Sequence, residues 1–130
     1  MTEALRTIAA EIETRGRICF ADVRRLERDI LPDGIASREQ AETLIALDRV
    51  AGRADRSWSE WFVAVMVDFV VWSERPTGVV NEEAARWLSD ALDVPTPTRN
   101  ARRLVNAIVA EAERVHESLV ETQDEVALAA

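Results

Sequence analysis

The chain has 130 residues, 48% apolar and 31% charged, and carries a net charge of -8 with a pI near 4.7. This fits one soluble globular domain with a core of its own, and it disfavours nucleic acid and anionic membranes as partners. All sixteen basic residues are arginine, so lysine Schiff-base chemistry and a P-loop lysine are excluded. One cysteine, Cys19, and one histidine, His116, leave little for nucleophilic catalysis or zinc and allow no internal disulfide.

The N-terminus lacks the basic-then-apolar plan of a signal peptide, which predicts a cytoplasmic protein. Leu5, Ile8, Ala9 and Ile12 recur at helical spacing and predict a first helix over 3–15, stopped by Gly16. Phe20, Val23, Leu26 and Ile30 predict a second over 20–31, with Arg25 and Asp29 spaced to pair. Pro32-Asp33-Gly34 breaks the chain. Ser37-Arg38-Glu39-Gln40 has the form of a capping box and opens a third helix over 38–51.

The run from Trp58 to Trp72 is the most apolar stretch. It holds three of the four tryptophans, and Asp68 is its only charge after Glu60. Ser57-Trp58-Ser59-Glu60 reads as its capping box, Pro76-Thr77-Gly78 as its stop, and a central helix over 58–75 is expected. It is too short to span a membrane, which takes about 20 apolar residues. Asn81 caps a fifth helix over 82–92. Thr98 caps a sixth, whose stripe of Ala101, Leu104, Val105, Ile108, Ala112, Val115 and Leu119 predicts one helix over 99–122. No stretch alternates cleanly enough for a strand. The expected fold is therefore all-α: one domain of about six helices over 1–122, packed around the central helix, with a flexible tail over 123–130.

Gly34-Ile35-Ala36-Ser37 and Gly78-Val79-Val80-Asn81 align as glycine, apolar pair and cap, each followed by a helix. Two pseudo-symmetric helical hairpins would account for this. The stretch Asp33-Gly34-Ile35-Ala36-Ser37-Arg38-Glu39, with the helix through Leu44, Leu47 and Ala51 and the following Ala54-Asp55, resembles the tellurite-resistance TerB-like helical proteins. The resemblance spans roughly residues 18–92. It implies an all-helical fold, a link to bacterial stress resistance, and metal-binding acidic residues. In the second copy Thr77 stands where that pattern wants an aspartate.

Asp29, Asp33, Gly34 and Ser37 fall at positions 1, 5, 6 and 9 of an EF-hand-like loop, but Leu31 and Gln40 occupy positions 3 and 12. Asp29, Asp33 and Glu39 are thus a weak divalent-cation candidate, and no bound cofactor is expected. Glu113-x-x-His116 has di-iron spacing but lacks the second histidine that such a site needs, so a surface histidine beside Glu113 is expected. Arg99, Arg102 and Arg103 crowd the start of the sixth helix while Glu111, Glu113, Glu117 and Glu121 fill its later turns, an order opposed to the macrodipole. Those arginines pair with carboxylates such as Asp90 and Asp93, or form an anion or acidic-partner site. Asp68 is expected either to pair with an arginine or to face outward with Ala64 and Arg75, and Cys19 to be a small core residue. The leading expectation is a non-enzymatic interaction or adaptor protein with a protein partner or a second copy of itself. The alternative is a divalent-cation binder around Asp29 and Asp33.

Overall fold

Gly16 ends the first helix by taking φ 75°, a backbone region open to glycine, while its amide closes on the Ile12 carbonyl at 2.8 Å. A strand of two residues comes next, and then a new helix. In a computed structural model of the protein, which describes residues 3–128, this step from helix to strand to helix is the repeating device. The chain divides into two compact units, Met1–Val65 and Met66–Ala130.

The first unit comprises α1 (Glu3–Arg15), β1 (Arg17–Ile18), α2 (Phe20–Arg25), α3 (Arg38–Val50), β2 (Arg53–Ala54) and the opening of α4 (Arg56–Val67). A π-helical turn, Leu26–Ile30, continues α2 and closes with the Leu31 amide on the Leu26 carbonyl at 2.8 Å. The strands pair in parallel, Arg17 beside Arg53 and Ile18 beside Ala54. Gly52 N–H donates to the Gly16 carbonyl at 2.9 Å and Asp55 N–H to that of Ile18 at 2.8 Å. The core takes the predicted faces of the helices: Leu5, Ile8, Ile12, Val23, Leu26, Leu44, Ile45 and Leu47 are all buried.

Trp58 completes that core. It is fully buried, stacks on Phe62 with centroids 5.3 Å apart, and donates its indole N–H to Asp48 Oδ1 at 2.9 Å. The bond spares a buried polar hydrogen its desolvation cost, about 1–3 kcal/mol. Asp55, not Ser57, caps α4. Its carboxylate accepts the Ser57 amide at 3.0 Å and the Ser57 hydroxyl at 2.6 Å, so the helix starts one residue before the expected box.

The second unit repeats the order. A π-helical turn, Asp68–Ser73, succeeds α4, and then come β3 (Val79–Val80), α5 (Glu82–Leu92), α6 (Arg99–Glu111), β4 (Arg114–Val115) and α7 (Glu117–Leu128). Again the strands are parallel, Val79 beside Arg114 and Val80 beside Val115. The hydrogen bonds match those of the first unit: Glu113 N–H to the Gly78 carbonyl and His116 N–H to that of Val80, each at 2.8 Å. Phe69, Val70, Val71, Leu88, Leu104, Val105, Ile108 and Leu119 are buried, with Phe69 edge-on to Trp87 at 6.3 Å.

Four expectations need correction. The sixth helix stops at Glu111 and a second one begins at Glu117, because Ala112 turns to φ -66°, ψ 144° and residues 114–115 pair with β3. The apolar stripe had run across this break because Val115 and Leu119 keep helical spacing on both sides of it. Short strands exist where none was expected, since a two-residue strand is too brief to alternate. The central helix gives up its α-helical geometry at Val67 and ends at Ser73. The segment expected to fray from residue 123 is helical through Leu128, anchored by buried Val126, while residues 129–130 lie outside the described ones. Among the described residues the fold is nonetheless dominated by seven α-helices, and no helix is long and apolar enough to cross a membrane.

The aligned pair at Gly34 and Gly78 shares its backbone chemistry. Both glycines have positive φ, 85° and 78°, and Ser37 and Asn81 accept the amides of Gln40 and Ala84 at 3.3 and 2.9 Å. Only the second copy forms a strand. The closer structural repeat of the Gly78 turn is the Gly16 turn, through matching strands and matching hydrogen bonds.

Candidate functional site

The junction of α1 and α2 gathers a polar cluster of Arg15, Cys19 and Asp22. The Arg15 guanidinium donates through Nη2 to both oxygens of Asp22, each at 2.9 Å. The Cys19 amide and thiol donate to Asp22 Oδ2 at 2.9 and 3.0 Å, and Arg15 Nη1 lies 3.5 Å from the sulfur. Asp22 is 5% exposed. Burial pushes its carboxyl upward, but the hydrogen bonds from Arg15 and Cys19 outweigh this and hold it below the usual carboxylate range. Its bond to Asp22 correspondingly raises Arg15.

This is a capping arrangement: Asp22, three residues past the cap position, reaches back to the Cys19 amide. Cys19 is half-buried and engaged, not a simple apolar filler. The sequence did carry a signal for it, since Cys19-x-x-Asp22 is a capping box with sulfur in place of the usual hydroxyl.

Beside this cluster stands the strand pair. Arg17 and Arg53 are direct neighbours across it and both are exposed. Neither side chain makes an ion pair or hydrogen bond with another described residue. Two carboxylates that follow the strands in the chain are engaged elsewhere, Asp22 by Arg15 and Asp55 by Ser57. Hydrogen bonds from Ser57 hold the Asp55 carboxyl below its usual range.

The sequence-derived candidates lie elsewhere. Asp29, Asp33 and Glu39 are all exposed, and among the described residues no group of three or more His, Cys, Asp or Glu side chains could hold a metal. Arg25 pairs with Glu11 of α1 at 3.3 Å instead of with Asp29. Arg99 and Arg103 are exposed and Arg102 half-buried, all at the start of α6, where Thr98 caps the Ala101 amide at 3.0 Å. The break after Glu111 eases the charge conflict seen in the sequence: Glu117 now sits in the first turn of α7, where a carboxylate is favourable. His116 does not pair with Glu113; its Nδ1 accepts the Ser118 amide at 3.1 Å and sits 2.8 Å from the Ser118 hydroxyl. Asp68 is exposed, as are Ala64 and Arg75, which settles it as outward-facing.

Two large aromatic side chains of the described residues face solvent. Phe20 is 54% exposed, with the Arg24 guanidinium 5.6 Å from its ring centroid, and Trp72 is 38% exposed. Trp61 and Trp87 are half-buried. No family model matches the sequence, and no curated protein or solved structure matches it either.

Proposed function

We propose that the chain is a non-enzymatic helical interaction module, an adaptor of TerB-like type with a stress-related role, that acts by docking a protein partner. The observation that carries this reading is the exposure of Trp72 and Phe20 on a molecule whose other large aromatics are wholly or partly covered. Aromatic side chains supply much of the binding energy at protein interfaces, and solvating two of them without a partner is unfavourable. The buried carboxylate Asp22 is consumed by a helix cap, so its chemistry supports a structural role more than a catalytic one.

The test is affinity purification of the tagged protein from its native cell, with sizing of the purified protein alongside. A protein recovered in near-stoichiometric amount, or a defined homo-oligomer, is the expected result. A monomer that recovers no protein above background contradicts the reading.

A further inference from the structure

Parallel strands lie about 4.8 Å apart, and residues in direct register project from the same face. Arg17 and Arg53 stand in that relation, both exposed and both without a carboxylate partner among the described residues. Like charges placed directly opposite across strands are unfavourable. Asp22 and Asp55, which follow the two strands in the chain, are held by their own helix caps. The register itself is pinned by the Gly52–Gly16 and Asp55–Ile18 backbone bonds, so the pair cannot slide apart. Two arginines anchored side by side on this backbone, with side chains long enough to converge, can offer paired N–H donors to one carboxylate.

We propose that the Arg17–Arg53 pair is a recognition site for a carboxylate of an acidic peptide segment in a partner protein. Extended nucleic acid is the weaker match, because a chain of net charge -8 repels a polyanion overall while a short acidic segment meets mainly the local pair. The proposal rests on the interaction reading and deepens it by naming the chemistry of the partner.

Fluorescein-labelled hexaglutamate peptide titrated into the full chain, read by anisotropy, tests the site directly. Saturable binding is expected, weakened about tenfold or more in Arg17→Glu/Arg53→Glu. The charge-matched Arg6→Glu/Arg28→Glu, which alters two other exposed arginines, stays within about twofold of wild type. The milder Arg53→Ala weakens the peptide without lowering the melting temperature, since it relieves a like-charge contact. Absence of saturable binding, equal weakening by both double variants, or stronger binding of single-stranded DNA or inorganic phosphate than of the peptide overturns the proposal. A lack of captured cellular partner leaves this titration interpretable, and a failed titration leaves the reading from exposed Trp72 and exposed Phe20 standing.

Discussion

Arg15 reaches seven residues along the chain to hold both carboxylate oxygens of Asp22, each at 2.9 Å, so the last turn of α1 is tied to the first turn of α2 across a glycine turn. The partners differ in exposure, 35% for the Arg15 side chain and 7% for that of Asp22. Removing the arginine leaves a covered carboxylate that still accepts the Cys19 amide and thiol, whereas removing the aspartate frees a guanidinium that water can reach but also strips the Cys19 amide of its acceptor. Asp22→Ala, which removes the acceptor of Arg15 and of the Cys19 amide together, is therefore expected to cost about 1–2 kcal/mol, and Arg15→Ala to lower the urea midpoint by less. The exposed Arg25–Glu11 pair is expected to contribute less than about 0.5 kcal/mol. Urea unfolding of the single variants separates these values.

The same pair sets a dependence on pH. The folded carboxyl of Asp22 lies below its unfolded value, so its contribution is fully present above about pH 4–5 and is lost as pH falls through the folded value. Stability of the wild type is expected to fall more steeply below about pH 4 than that of Asp22→Asn, the two curves converging in acid. Parallel curves for the two proteins would show that Asp22 is not the group responsible.

Gly78 and Gly16 make a paired test of backbone against packing. Both need positive φ, 78° and 75°, but a Cβ on Gly78 would fall 2.6 Å from Glu113 Oε1, while one on Gly16 would meet nothing within 4 Å. The atoms in the way belong to an exposed glutamate side chain free to swing aside. Both alanine variants are thus expected to lose a similar amount, about 1–2 kcal/mol from the left-handed backbone alone. Glu113→Ala should leave the Gly78→Ala loss essentially unchanged, and a rescue in thermal unfolding would show that the side-chain clash decides.

Ser89 and Thr122 join α5 to α7 through hydroxyls 2.9 Å apart, and Thr122 also donates to the Ser118 carbonyl at 2.9 Å. Thr122 is 6% exposed. Thr122→Val keeps the shape but leaves Ser89 without that partner, at an expected cost of about 1 kcal/mol in chemical denaturation. Ser89→Ala made together with it should recover part of the loss, because both ends of the bond are then removed.

Much of this architecture was legible because helices announce themselves by periodicity. Leu5, Ile8 and Ile12, or Ala85, Leu88 and Leu92, fall on the buried faces that their spacing predicts. The caps at Ser37, Asn81 and Thr98 were equally readable from residue type. The break at residues 112–116 was not, because Ala112, Val115 and Leu119 preserve helical spacing and no glycine or proline marks the turn. There the tertiary pairing of Arg114–Val115 with Val79–Val80 overrides the local helical preference. The Arg17–Arg53 juxtaposition lay beyond sequence reasoning for a related reason: it is created by a pairing of two-residue strands distant in the chain. The expected arginine site at residues 99–103 came from clustering along the chain, which is blind to arginines that meet only on folding.

The central claim, that exposed aromatic side chains make this a docking module, is tested most directly by side-by-side affinity purification of the wild type, Trp72→Ser and Phe20→Ser from the native cell. The claim predicts that a protein recovered in near-stoichiometric amount with the wild type is lost or reduced at least about tenfold in one or both variants, while their melting temperatures stay close to wild type. Undiminished recovery of the same protein by both folded variants would contradict it.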